Sequence, residues 1–216
     1  MNIHEVHLLT DDPDQTRHFY HKILGLQILS SNTAVTRFSA GLSVLTFHTS
    51  GNNKPVYHFA LNIPNNKFEE AIAWVGSKLD LVEITPSNCV ADFKSWNAKA
   101  FYFYDNNHNI VEMIARFDLD NQSRQSFDGS SIFSISEIGV VVEDPKQYAS
   151  ELSANYNLPF FSKQQPMDDF IVMGNDDGLF IIVTENRKWY PTNILSARHW
   201  CKAIIQSPGG FIEITL

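Results

Sequence analysis

Ile3-His4-Glu5-Val6-His7-Leu8-Leu9-Thr10, followed at once by Asp11-Asp12-Pro13-Asp14, is the stretch on which the fold turns. The first eight residues read as a short strand. The aspartates then offer a carboxylate to the unpaired N–H groups of a first helical turn. Proline, which has no N–H, is suited to the position after them. From Gln15 onward Phe19, Ile23 and Leu24 recur at helical spacing, and Gly25 ends the segment. Three strand-like runs follow, Gln27 to Ser30, Ala34 to Phe38 and Leu42 to His48, with Ala40-Gly41 as the last turn. The order is βαβββ.

The pattern then restarts. Tyr57 to Ile63 reads as a strand and Pro64-Asn65-Asn66 as a helix entry. Phe68, Ala71, Ile72, Val75 and Leu79 fall at helical spacing, and strands follow at Ala100 to Tyr104 and Ile110 to Ala115. The segment after Phe117 is polar, as a linker should be. Beyond it Ile135 to Glu143 is strand-like, and Asp144-Pro145 repeats the capped entry into a helix carrying Tyr148, Leu152 and Tyr156. Strands at Phe170 to Met173 and Leu179 to Thr184 follow, then Pro208-Gly209-Gly210 before Phe211 to Leu216. The expectation is an α+β protein of tandem βαβββ units forming cupped mixed sheets. Residues 1–117 make a first module of two units, 118–131 a linker, and 132–216 a second, shortened module.

Composition narrows the function classes. The chain has 216 residues, 44% hydrophobic and 19% charged, enough apolar surface for a real core and no disorder-like charge excess. A formal net charge of −8 and the lack of any basic cluster argue against nucleic-acid binding, which relies on Lys and Arg neutralising phosphates. No apolar run approaches the roughly 20 residues of a membrane helix, and Met1 to Glu5 is unlike a signal peptide, so no membrane partner and a cytoplasmic location are expected. Cys89 and Cys201 show no metal or redox spacing, which fits a reducing compartment. Gly-rich phosphate loops, nucleophile elbows and zinc-protease motifs are absent from the sequence.

Three stretches carry a family resemblance. Glu5 to Asp12 with Phe19-Tyr20 and Leu24-Gly25 resembles the opening of the vicinal oxygen chelate superfamily, which includes glyoxalases, bleomycin-resistance proteins and extradiol dioxygenases. Tyr57-His58-Phe59-Ala60-Leu61 is similar to one of its unit-opening strands. Phe101 to Asp105 with Asn109 to Ile114 resembles its closing hairpin, with Asn107-His108 replacing the usual glycine region. The resemblance implies metal ligands at Glu5, His58 and Glu112, with His7 or Tyr102 moving protons. Period-2 alternation separately puts His58 opposite the apolar face of Tyr57, Phe59 and Leu61, and sets Glu112 among Ile110 and Ile114, where a carboxylate needs a cation, hydrogen bonds or a proton.

Such an oxygen-rich set favours Mn, Fe(II) or Mg over Zn or Ni. In the second half Glu137 and Glu213 stand in corresponding places, but no histidine matches His58, and no metal is expected there. Phe160, Phe161, Phe170, Trp189 and Tyr190 are pocket or core aromatics. The functional expectation is a divalent-metal-dependent, glyoxalase- or dioxygenase-like enzyme acting on a small oxygen-chelating molecule, as monomer or homodimer. The alternative is a metal-free protein that sequesters a small ligand.

Overall fold

A computed structural model describes residues 1–51, 53–207 and 210–216, except the Ser207 side chain. Pro208 and Gly209 of the expected last turn lie outside the described residues. The first unit runs β1 (Asn2–Thr10), α1 (Pro13–His18, continued by a π-helical turn over Phe19–Ile23), β2 (Gln27–Ser31), β3 (Val35–Ala40) and β4 (Ser43–Thr49). Asp12 caps α1 by accepting from the Gln15 N–H at 2.9 Å, with Pro13 in the first turn. Such a cap contributes about 1 kcal/mol. The second unit runs β5 (His58–Asn62), α2 (Phe68–Gly76), β6 (Ala91–Phe93), β7 (Ala98–Tyr104) and β8 (Ile110–Arg116).

The third unit has β9 (Ser134–Val142), α3 (Pro145–Tyr156), β10 (Phe170–Asn175) and β11 (Gly178–Thr184). Asp144 caps α3 on the Gln147 N–H, repeating the device of α1. A single bridge between Phe160 and Met173 stands where the unit's second strand would be. A hairpin of β12 (Lys202–Ser207) and β13 (Gly210–Thr215) ends the chain. β12 leaves little signal in the sequence, because Lys202-Ala203-Ile204-Ile205 is short and follows a segment without periodicity.

In each of the three larger units the first strand lies parallel to the last: Glu5 opposite Val44, Ala60 opposite Glu112, Glu137 opposite Leu179. How units join decides where sites form. β5 pairs antiparallel with β9, Ala60 opposite Glu137, and β1 pairs antiparallel with β12, His7 opposite Lys202. β1 meets β9 only at Ile3 and Ile135. The strand path is therefore β2-β3-β4-β1-β9-β5-β8-β7-β6, with β10 and β11 joined to β9 and the last hairpin joined to β1. The second unit shares a cup with the third, and the first with the terminal hairpin. The pairing of first and second units expected from chain order is not the one adopted.

The route of the connecting segment accounts for this. Along residues 118–131, Asn65 donates to the Leu119 carbonyl at 2.6 Å, Asn65 N–H to Asn121 at 3.0 Å, and Phe127 N–H to Glu70 at 3.0 Å. The chain thus runs tied to the second unit. At its end the Leu42 N–H donates to the Phe133 carbonyl at 2.8 Å beside Gly41. Gly41 has φ +64°, and a Cβ there would fall 2.1 Å from the Phe133 oxygen, so only glycine permits the approach. β9 is delivered between β1 and β5. The main core lies between the sheet and helices, with Phe59, Leu61, Phe101 and Phe103 buried in it. A second buried cluster holds Ala60, Tyr102, Ile110, Ile114 and Trp189 inside the cup of the second and third units. Among the described residues, no helix is long and apolar enough to cross a membrane.

Candidate metal centre

Three strands bring one polar side chain each into this second cup. His58 opens β5, Glu112 is central in β8 and Glu137 is central in β9, all buried. Each offers a ligand atom lying within 4.8 Å of the other two. They form the one such group of three among the described residues. The registers explain the meeting: Ala60 stands between Glu112 and Glu137 across the ladder, and His58 sits two residues back on the same face.

Two of the three are held from behind. The Nδ1 of His58 lies 3.2 Å from the Ile110 carbonyl, which can only accept, so Nδ1 carries the proton and the neutral ring presents a lone pair at Nε2. That Nε2 is 3.6 Å from Oε2 of Glu112. Tyr102 stands directly opposite Glu112 on β7. Glu137 accepts from the buried Arg116 guanidinium, whose Nε also donates to Ser136 Oγ at 3.1 Å. Two acceptors, His58 Nε2 and Glu112, therefore face each other with nothing between them in the neutral-imidazole, ionised-carboxylate state. A proton or a cation relieves that conflict.

Electrostatics follow from burial. Desolvation pushes the His58 pKa down to about 4, so its ring is neutral and free to ligate near pH 7. Burial, reinforced by the Glu137 charge, raises Glu112 well above the usual carboxylate range, with Arg116 and Tyr102 opposing. Burial raises Glu137 too, against the pull of Arg116. Tyr102 is driven well above 10 by burial and by Glu112, which keeps it a hydrogen-bond donor and not a base. The donor set fits a hard or borderline divalent ion: one imidazole nitrogen and two carboxylate oxygens, with outer partners steadying His58 and Glu137.

Above this floor the cavity has a volume of about 280 Å³ and aromatic walls. Trp96, Phe93, Tyr102, Phe170, Trp189 and Tyr190 line it, with Gln164 and Arg187. Trp189 lies 5.2 Å from the His58 ring, and Tyr190 meets Tyr102 edge-on at 6.0 Å. Of the aromatics named from sequence, Phe170, Trp189 and Tyr190 line the cavity. Phe161 is buried edge-on against Trp96, and Phe160 is exposed.

Two expected residues lie elsewhere. Glu5 does not join His58 and Glu112. It takes a bidentate pair from Arg37 (Nε to Oε1 3.1 Å, Nη2 to Oε2 2.9 Å) and a 2.6 Å bond from Thr46. β9 stands between β1 and β5, and the arginine supplies internally the positive charge that Glu5 was expected to find in a metal. His7 is 3.5 Å from Glu5 and 2.9 Å from His48 Nε2, in the cup of the first unit and the terminal hairpin, and so shares no site with Tyr102. The second half, where no metal is expected from sequence, nevertheless supplies Glu137 to the candidate cluster. No histidine of the second half is needed there, since His58 comes from β5 of the neighbouring unit. The buried Arg116, four residues beyond Glu112 on β8, has no signal in sequence beyond an arginine ending an apolar strand.

No family model and no curated protein matches the sequence. Solved structures do match its shape. A protein provisionally described as a dioxygenase from Bacillus subtilis superposes with TM-score 0.62 at 14% identity, over 85% of this chain and 63% of that one. This chain thus spans under two thirds of that protein's length. A glyoxalase/dioxygenase from Nostoc punctiforme matches 52% of this chain and 89% of its own, at 21% identity and TM-score 0.42. A lactoylglutathione lyase from Agrobacterium tumefaciens matches 51% of this chain and 90% of its own, at 18% identity and TM-score 0.43. The Bacillus subtilis structure shares the fold of this chain, α+β units on a cupped sheet.

Proposed function

We propose that the chain is a metal-dependent enzyme of the glyoxalase and dioxygenase type, acting on a small molecule that reaches the ion through adjacent oxygens. His58, Glu112 and Glu137 would hold the ion. The observation that carries this reading is the buried convergence of one imidazole and two carboxylates within 4.8 Å, with the Ile110 carbonyl behind His58 and Arg116 behind Glu137. Such partners fix tautomer and orientation at metal sites. A divalent ion, when bound, supplies Lewis acidity and an anchoring point for substrate oxygen.

The chain's own groups do the rest. The His58 lone pair and the two carboxylates set one face of the site. Ile181 of β11 adds an apolar side chain to the cavity lining. Tyr102 keeps its proton and stands opposite Glu112. Trp189 and Tyr190 shield the floor from water, which strengthens electrostatic interactions within. One His and two carboxylates favour Mn, Fe(II) or Mg.

A second reading, a metal-free binding protein, draws on Arg116 and Tyr102. Glu137 already has a donor inside the protein and Tyr102 stands opposite Glu112, so the cup can close around an apolar ligand without an ion. Calorimetric titration of the metal-free protein with Mn(II) separates the two. A one-site isotherm in the native protein that disappears in both Glu112→Gln and Glu137→Gln supports the enzyme. Heat of dilution alone in the native protein rules it out and leaves the binding protein.

A further inference from the structure

Arg116 is fully buried at the base of the cluster, so all its N–H donors need acceptors inside the protein. Nε donates to Ser136 Oγ at 3.1 Å and Nη2 to Glu137. Nη1 is buried and has no acceptor among the described residues. Oδ1 of Asp176 lies 3.5 Å from it, and that oxygen is likewise buried and without a donor. A donor and an acceptor of opposite charge thus face each other just beyond bonding distance, where buried polar groups are rarely left.

Asp176 is set in that position from outside. It lies in the turn between β10 and β11, where Lys163 Nζ holds its Oδ2 at 2.6 Å while also reaching Asp118 Oδ2 at 2.7 Å. With Oδ2 taken by the lysine, Oδ1 is the oxygen left for Arg116. The guanidinium therefore stands between two carboxylates, bonded to Glu137 and unbonded to Asp176. Its planar fork can serve both through separate N–H groups.

A cation held by the cluster changes this balance. Glu137 is a member of the cluster, so the cation takes over part of the neutralisation that Arg116 gives, and like charge repels the guanidinium. Water is out of its reach, and a buried charge without a partner is costly. The free oxygen of Asp176 is the acceptor at hand. We infer that Asp176 is a positioning residue of the metal centre: it receives Arg116 Nη1 when an ion draws on Glu137, and so raises the affinity for an ion that it does not touch. The inference rests on the metal-binding reading.

The test is calorimetric titration of the full chain with Mn(II) in the native protein, Asp176→Asn and Asp118→Asn. Both substitutions take a carboxylate from Lys163, but only Asp176 faces Arg116. Asparagine is at home in a turn, and Asp118 is half-exposed, so both variants should fold. Asp176→Asn is expected to weaken Mn(II) binding about tenfold, the scale of an outer partner at a metal site, with Asp118→Asn within about twofold of native. In an Arg116→Met background the same Asp176→Asn step should change affinity by less than about twofold, because no guanidinium is there to be received. Native affinity in Asp176→Asn, or an equal loss in Asp118→Asn, overturns the inference and leaves the metal reading standing. A tenfold loss that persists in Arg116→Met also overturns it, since the charge of Asp176 then acts on the ion directly. Should Arg116→Met fail to fold, the contrast between Asp176→Asn and Asp118→Asn decides alone. A native chain that takes up no Mn(II) removes the metal reading and the inference together.

Discussion

Gly139 and Trp189 fit each other as notch and peg: a Cβ built on Gly139 would lie 2.6 Å from Cη2 of the Trp189 ring. Gly139 is on β9, two residues beyond Glu137 and on the same face. The missing side chain therefore lets the tryptophan settle beside His58, 5.2 Å between ring centres. Gly139→Ala should push the indole outward and cost about 1–3 kcal/mol as overpacking. Chemical denaturation together with a red-shifted tryptophan emission checks it. An unshifted spectrum at native stability would mean that Trp189 is not seated there.

Arg116 and Glu137 form a buried pair at the cluster's base, with Arg116 Nη1 also 3.5 Å from Asp176. Removing one member strands a buried charge, so Arg116→Met alone should destabilise by about 3–5 kcal/mol. Pairing it with Glu137→Leu should recover much of the loss, because an apolar pair avoids the desolvation cost. A double-mutant cycle by urea denaturation measures the coupling. Additive effects would contradict the ion pair.

His7 gives the first cup a pH signature. Burial is the largest influence, pushing its pKa down to about 4, while Glu5 opposes. The unfolded chain binds the proton more readily than the folded one. Stability contributed by neutral His7 is therefore present above about 6.5 and drains away as pH falls toward 4. Melting temperatures measured from pH 7 to 4 should fall less steeply in His7→Gln than in the native protein. Parallel curves would show that His7 does not carry the effect.

Glu5 lies outside the metal cluster, and its removal tests that separation. Glu5→Gln loses the carboxylate facing Arg37, Thr46 and His7, and should cost about 1–3 kcal/mol for the disrupted buried bonds. Its Mn(II) affinity should match the native value. A loss of metal binding comparable to that of Glu112→Gln would place Glu5 in the centre after all.

Much of this was legible in the sequence because it is local. Asp12-Pro13 and Asp144-Pro145 mark helix entries through hydrogen bonds made within three residues, and alternation around His58 and Glu112 gives their faces directly. Which unit shares a cup with which is not local. It depends on residues such as Gly41, whose bare Cα lets Phe133 approach and carries β9 to the side of β5. With that pairing unread, Glu5 seemed the natural third ligand and Glu137 an orphan. Arg37 and Arg116 were equally invisible as partners, since a salt bridge across strands 32 or 21 residues apart leaves no periodic trace.

The account stands most directly on elemental analysis of protein purified without chelators or affinity-tag metals and then exposed to Mn(II), Fe(II) and Zn(II) in turn. Close to one equivalent of Mn or Fe per chain, lost in Glu137→Gln and retained in Glu5→Gln, is the predicted result. Metal retained in Glu137→Gln and lost in Glu5→Gln, or no metal taken up by the native chain, would contradict a centre built from His58, Glu112 and Glu137.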